Sequence, residues 1–466
     1  MHPRVTLAVL SLAGLAYAVL SSAVVPALTP IQHDLHASEN GIAWILTGYL
    51  LSASVGTAIL GRLGDMYGKE RVLMWTLVGL AAGTLLAALS HTLALLIAAR
   101  VVQGVAGGIF PLSFGIVRDE FPPEQVAGSI GLMSAILGIG AGVGIVTGAV
   151  IVEHLAWQWL FWMPLIVIVV AAICTWRFVP ESPVRVPGRV NWIAALLMSV
   201  GISGVLLAIS EATVWGWGSA RTVGVLAAGL VVIAVWVVVE SRSRMPLIDM
   251  TMMRIRGVWT TNLTAFLLGA GMYSSFIVFP QFAQLPKSTG FGFGASVVVS
   301  GLYLLPSTAA MFVVSFFAGR IASRFGSKFA AVTGSAVTAG AFGLIAAEHA
   351  HPYDMLLSAA LLGLGIGLAF SALGNLIVQA VPAYQTGAAG GMNTVMRTIG
   401  GAIGGQISAT LISDHVGANG LPTVTGFTDT FVMATGFLIV CTLAGLLIPS
   451  RSRTAARELT PALAEK

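Results

Sequence analysis

Uninterrupted apolar runs about as long as a bilayer is thick recur along this chain, and no other feature limits its fold so tightly. They cover 5–27, 42–61, 72–90, 94–117, 127–151, 159–178, 191–212, 222–240, 259–282, 295–319, 328–347, 354–380, 387–412 and 429–449. Only 9% of the 466 residues are charged, against about 25% in an ordinary soluble domain. A surface built from the remainder cannot face water, so the chain is predicted to be an all-α integral membrane protein with fourteen transmembrane helices. The run at 387–412 is the faintest, being rich in glycine and holding Arg397. The first run is too long for the apolar part of a signal peptide and reads as a helix.

The loops orient the spans. If the N-terminus lies in the cytoplasm, all but four of the 23 lysines and arginines fall in inner segments. Arg221 and Lys287 lie outside, and Arg100 and Arg397 lie within spans. The positive-inside rule then places both termini in the cytoplasm. The net charge of +5 does not point to nucleic acid, because the basic residues are scattered through short loops. Cys174 and Cys441 stand alone in apolar runs. They offer neither a disulfide framework nor a metal site and read as packing residues.

GRLGDMYGKERVL at 61–73 has a faint copy in GRIASRFGSKFAA at 319–331. Both follow an apolar run and sit in an inner loop. The repeat divides the chain into a six-helix bundle at 1–179, two linker spans with cytoplasmic loops at 180–257, a second six-helix bundle at 258–449 and a cytoplasmic tail at 450–466. Two related helical halves suit a transporter with its substrate site between them.

Three stretches carry a resemblance to a known family. In the 61–73 loop, Gly61, Leu63, Asp65, Gly68 and Lys69 match the pattern G-x-L-a-D-r-x-G-r-K/R, and Arg71 follows. In span four, Arg100 and Gly104 match R-x-x-x-G. In span five, Gly131, Gly140, Gly144 and Gly148 keep the register of G-x8-G-x3-G-P-x2-G-G, with Ile145 and Ala149 replacing its proline and last glycine. The chain resembles the major facilitator superfamily, and within it the fourteen-span drug:proton antiporters. AWQWLFWMPL, VWGWGS, PLIDM and TGAAGGMNTVMRTIGG are similar to the same family.

The resemblance implies two six-helix bundles with two additional central helices, alternating access, and export of amphipathic drugs or related small organic molecules by proton antiport. It gives the loop at 61–73 the role of a conformational switch and Arg100 a part in proton coupling. The residues fit a switch. Gly61 and Gly68 permit close helix approach and a tight turn, and Asp65 can cap a helix or pair with an arginine. Arg100 has a plainer reading too, as an arginine bonded to neighbouring helix carbonyls. The lost proline in span five removes a source of kinking.

One departure matters. Where many fourteen-span antiporters carry an aspartate in span one, this chain reads LSSAVVPALTP, with Ser21 at that place. No acidic residue lies near the middle of a predicted span, so proton coupling is expected to run through edge acids: Asp65, Asp119 or Glu211. The deep charges are Arg100 and Arg397. A cationic drug lacks a counter-charge there, and neutral or anionic amphiphiles fit two arginines better. Polar or aromatic residues inside spans mark a candidate substrate cavity: Gln103, Asn262, Tyr273, Phe276, Tyr303, Asn375, Gln379, Asn393, Gln406 and Arg397. Pro26, Pro111, Pro280 and Pro306 are expected to interrupt helices beside it.

Rival classes fare worse. No G-x-x-x-x-G-K-[ST] loop is present for a nucleotide, and no cluster of acid, base or metal-ligand residues suggests an enzyme or a cofactor. The expected partners are a small-molecule substrate, protons and the lipid bilayer, with the chain acting as a monomer in the plasma membrane. The alternative is an uncoupled or differently coupled metabolite exporter of the same fold.

Overall fold

The computed structural model describes residues 3–182, 190–243, 246–417 and 420–449. The predicted inner-loop cations Arg185, Arg189 and Arg244 and the tail at 450–466 lie outside the described residues. Nineteen α-helices make up the described chain. The first part holds α1 (Pro3–Ala23), α2 (Leu28–Asp34), α3 (Glu39–Tyr67), α4 (Lys69–Ala88), α5 (Leu93–Gly104), α6 (Ile109–Glu120), α7 (Pro123–His154) and α8 (Trp159–Phe178). The middle holds α9 (Trp192–Ser210), α10 (Ala212–Trp215), α11 (Ala220–Arg242) and α12 (Met250–Arg254). The last part holds α13 (Arg256–Gln284), α14 (Val297–Leu302), α15 (Leu305–Phe325), α16 (Ser327–Ala347), α17 (Pro352–Ala380), α18 (Thr386–Asp414) and α19 (Val424–Leu446).

Twelve described segments are long and apolar enough to cross a membrane, and a pair bent by 55° at 315–316 adds a thirteenth. α18 falls outside that set although its 29 residues reach about 43 Å. Its glycines, with Asn393, Arg397 and Gln406, dilute its apolar character. Side-chain caps start several helices: Ser38 accepts from the Gly41 amide, Thr92 from Leu95 and Ser219 from Thr222. Breaks fall where the backbone lacks donors or Cβ atoms. Pro26 sits in the 3-10 turn after α1, and the 3-10 turn Val105–Gly108 separates α5 from α6, whose first turn holds Pro111. Pro306 starts α15, whereas Pro280 is accommodated inside α13.

Apolar burial gathers mainly in two clusters. One is drawn chiefly from α1 to α9, with Trp236 of α11, Met252 of α12 and, from the last part, Val258, Ile377, Val378, Ala389, Met392 and Val395, and the other is drawn from α13 to α19. Within the first, α1 packs on α7 and α8, α3 on α5, and α4 on α8. Within the second, α13 packs on α18 and α19, and α16 on α17 and α19. The clusters meet where α3 crosses α18 and where α7 crosses α15 and α17. α9 and α11 pair with each other, and α9 leans on α3 and α18.

The sequence copy at 61–73 and 319–331 is also a structural one. α3 ends, Gly68 turns the chain at φ 107°, and α4 begins; α15 ends, Gly326 turns it at φ 88°, and α16 begins. A side chain is strained at either φ, which is why glycine stands at both.

α7 shows how small residues let a helix sit between two partners. A Cβ at Gly140, Gly144 or Gly148 would collide with Ala18, with Ser22 and the Val19 carbonyl, or with the Ala23 carbonyl of α1. Around the helix, a Cβ at Gly131 would collide with Ser371 of α17, and one at Gly138 or Gly142 with Met311 or Thr308 of α15. Of the four motif glycines, Gly140, Gly144 and Gly148 therefore face α1, and Gly131 faces α17.

Candidate functional site

The turn after α3 is the most heavily hydrogen-bonded junction between the two parts. α3 and α18 meet backbone to backbone: a Cβ at Gly61 would strike the Gly387 carbonyl, and one at Gly387 would strike that of Gly61. One helical turn beyond Gly61, the Asp65 carboxylate accepts the amide of Gly387 at 3.1 Å and that of Ala388 at 3.0 Å. These amides belong to the first turn of α18, where intrahelical partners are missing. Gln385, the N-cap of α18, leaves those amides uncapped and donates its side-chain amide to Asp249 at 3.1 Å instead. Asp65 therefore caps a helix that lies in the other part of the chain, and its charge complements that helix's dipole.

Around Asp65 the charges are buried and balanced. Lys69 Nζ lies 2.5 Å from Asp119 and 3.8 Å from Asp65, and all three side chains are buried. Ser182 also donates to Asp119. Arg118 donates to Thr386 Oγ1 at 2.7 Å and to the Val381 carbonyl at 2.8 Å, a second bridge to the start of α18. Arg71, at the rim, pairs with Glu181 at 3.0 Å. A Cβ on Gly68 would collide with that same glutamate.

The second copy makes a crossing but no such cap. Gly319 of α15 meets Gly128 of α7 so closely that a Cβ would lie 2.6 Å from the Gly128 Cα. Ser323, in the place of Asp65, donates to the Arg320 carbonyl of its own helix. There a cavity of about 1260 Å³ opens, lined by Glu124, Ser323, Lys328 and Gln379 among others. Asn375 bridges this side by donating to the Ala127 carbonyl at 3.0 Å. Four glycines thus form two crossings, and one of the two carries a charged latch.

The deep arginines differ sharply. Arg100 is fully buried within the first cluster. Its guanidinium donates to Gln103 at 2.9 Å, to the Ile45 carbonyl at 3.3 Å and to the Leu20 carbonyl at 3.5 Å, with the Tyr49 ring 4.1 Å away. Gln103 passes the chain on to Thr84 at 3.1 Å. Arg100 thus fastens α1, α3 and α5 together and, through Gln103, α4. Of the two deep arginines expected beside substrate, Arg100 is held, with Gln103, by the Leu20 and Ile45 carbonyls and Thr84, and neither Arg100 nor Gln103 lines the small cavity at Arg397.

Arg397 lies on α18 with its guanidinium 4.2 Å over the Phe370 ring. It lines a small cavity between α6, α7, α17 and α18, with Phe110, Phe114, Ser134, Asn393 and Thr394. This cavity has room for no more than about one water molecule.

The remaining candidates scatter. Asn393 donates to Asn262 at 3.0 Å, joining α18 to α13 beside the cavity. Tyr273 packs against Gly401. Tyr303 stacks on Phe293 at 5.7 Å, away from Arg397. Phe276 lies on α13, and its side chain is outside the described residues. Glu211 ends α9, and nearby Thr213 and Trp217 bond to Gln406 and Thr410 of α18, at the other end of that helix from Asp65. Glu211 is therefore not brought together with Asp65 and Asp119. Sequence reading missed Arg118 as a bridge and Gly387 as a partner. The only hint was the TGAAGG that opens α18, six residues without a bulky side chain at a helix start.

Comparison with known proteins agrees with this architecture. The family model described as Major Facilitator Superfamily matches residues 10–405. The "Tetracenomycin C resistance and export protein" of Streptomyces glaucescens is 30% identical over 413 residues, covering 87% of this chain and 75% of its own. The "Multidrug resistance protein Stp" of Mycobacterium tuberculosis is 28% identical, covering 84% and 72%. The "Multidrug transporter protein MdtP" of Bacillus subtilis is 28% identical, covering 78% and 67%. Among solved structures, the human transporter MFSD10 superposes with a TM-score of 0.70 at 15% identity, covering 96% of this chain and all of its own, and the proton:xylose symporter XylE gives 0.68 at 13%, covering 96% of each chain. At such identities these two speak for the fold alone. With its relatives among drug-resistance exporters, this multi-pass membrane transporter belongs to the major facilitator superfamily.

Proposed function

We propose that the chain is a fourteen-span exporter of amphipathic drugs or related small organic molecules, working by alternating access and driven by proton antiport. Two six-helix bundles, 1–179 and 258–449, rock about a central site, and 180–257 supplies two linker helices. Both termini and the 61–73 turn face the cytoplasm of a bacterial-type plasma membrane, as the distribution of basic residues favours. One observation carries the reading: Asp65 caps α18 across the two parts, at one end of the molecule. A contact of this kind holds the cytoplasmic end shut in one state and must break in the other. Gly61, Gly68, Lys69 and Arg71 complete that switch. Asp65 and Asp119, sharing Lys69, are the proton acceptors best placed to bias it.

The resistance exporters among its relatives support export, and they make drug-like molecules the substrates to try first. The second reading, export without proton coupling, is favoured by the central cavity, where no acidic side chain is among the lining residues. Efflux of a neutral fluorescent amphiphile from cells, with and without a protonophore, separates the two. Proton antiport requires that the protonophore abolish efflux and that Asp65→Asn reduce it. Efflux that persists under the protonophore removes the antiport and leaves the exporter.

A further inference from the structure

We infer that the transported molecule is an organic anion with an aromatic body, and that Arg397 is the side chain that binds its acidic group. This inference rests on the exporter reading and names the substrate class of the central site.

Four polar side chains line the central cavity, and three of them are already satisfied. Ser134 donates to the Ile130 carbonyl at 2.8 Å, Thr394 to the Gly390 carbonyl at 3.0 Å, and Asn393 to Asn262 at 3.0 Å. The fourth is Arg397. It is 91% buried, since only 9% of its surface is exposed, and among the described residues its guanidinium makes no hydrogen bond and no ion pair. Its guanidinium lies over the face of Phe370, with Tyr273 and Tyr17 within electrostatic reach. A guanidinium taken out of water needs an anion or a set of acceptors. Arg100 shows what the structural solution looks like, with carbonyls and an amide gathered around it. Arg397 has none of these, and its planar fork of donors suits a carboxylate, a sulfonate or an acidic phenolate.

The rest of the wall suits the rest of such a molecule. Phe110 and Phe114 offer ring faces from one side of the cavity and Phe370 from the other. Gly374 and Gly390 complete the wall. No carboxylate is present to neutralise a cation, so a cationic drug would meet Arg397 unshielded. The cavity is too small for any substrate in this state, so binding accompanies separation of α6 and α7 from α17 and α18. The anion then replaces the Phe370 contact of Arg397 with an ion pair.

The test uses the full-length protein in liposomes and two dyes built on one xanthene core: fluorescein, an anion, and tetramethylrhodamine methyl ester, a cation. The wild type should move fluorescein saturably and leave the cation. Arg397→Gln should raise KM for fluorescein at least about tenfold, and Arg397→Lys, which keeps the charge but not the fork, should fall between. An unchanged KM in Arg397→Gln overturns the inference. So does a wild type that moves the cationic dye in preference to the anion, an outcome that leaves the exporter reading intact. Failure to move either dye overturns both. Thermal unfolding of each variant guards against misfolding, and Arg397→Lys carries the test alone if Arg397→Gln does not fold.

Discussion

Asp65 and Gly387 are 322 residues apart in sequence and joined by a 3.1 Å hydrogen bond from the glycine amide to the carboxylate. With the Ala388 amide beside it, the contact does the work of an N-cap while belonging to another helix in another part of the fold. A cap is worth about 1 kcal/mol, and a charge at a partly buried helix terminus up to about 2. That range shifts a two-state equilibrium roughly five- to thirtyfold. It is small enough for a cycle to break and large enough to bias which end is open.

Asp65→Asn keeps an acceptor oxygen and loses the charge. The latched end should open more often, by about tenfold if the charge supplies most of the bias. A cysteine introduced at Thr386 reports this directly. Its labelling by a membrane-impermeant maleimide, applied from the latch side, should quicken in Asp65→Asn. Equal labelling in both backgrounds would show that the cap does not control this end.

The crossing beneath the latch gives a prediction with an internal control. Gly61→Ala places a methyl against the Gly387 carbonyl, and Gly387→Ala does the reverse. Neither backbone can yield without moving its helix, so both variants should hold the latched end apart and lose most transport while still reaching the membrane. Gly79 lies on α4 with nothing near its missing Cβ. Gly79→Ala should transport like the wild type. If Gly61→Ala does so too, the close crossing is dispensable.

How much of this was legible beforehand differs by feature. The long helices could be read because a bilayer demands unbroken apolar runs, and the strongest of these leave little else to weigh. α18 was the faint one, and the reason is now physical. Its glycines are spent on close contact with α3 and α13, as at Gly387 against Gly61 and Gly400 against Phe266. Packed helices do not need a lipid-facing apolar surface. Arg100 and Arg397 looked alike, each a lone cation in a span, because one sequence cannot say which carbonyls surround a side chain. The partner of Asp65 was hidden for a similar reason: it is a pair of backbone amides, and backbone carries no sequence signature.

Arg100 gives a contrast with Arg397 that experiment can read. Arg100→Ala leaves the Gln103 amide oxygen without its donor and removes the added bonds to the Ile45 and Leu20 carbonyls inside a tightly packed cluster. A loss of about 2–3 kcal/mol of stability is expected, from unsatisfied buried groups rather than from substrate binding. Unfolding in detergent should show the drop, and the protein that remains folded should keep KM within about twofold. A large rise in KM with normal stability would instead move Arg100 into the substrate path.

Lys69 is the sharpest test of the charge cluster. It lies between Asp119 at 2.5 Å and Asp65 at 3.8 Å, fully buried with both. Lys69→Met fits the shape and strands two carboxylates, one of which already carries the cap on α18. Breaking a buried ion pair from one side costs about 3–5 kcal/mol. The variant should fold poorly. Adding Asp119→Asn removes the surplus charge and leaves Asp65 alone to serve the two amides. The double variant should therefore recover stability and the latched state, as read by labelling at Thr386→Cys. It should also lose any transport that depends on Asp119 as a proton acceptor. Recovery of stability together with full protonophore-sensitive transport would remove Asp119 from the coupling route and leave Asp65 to carry it.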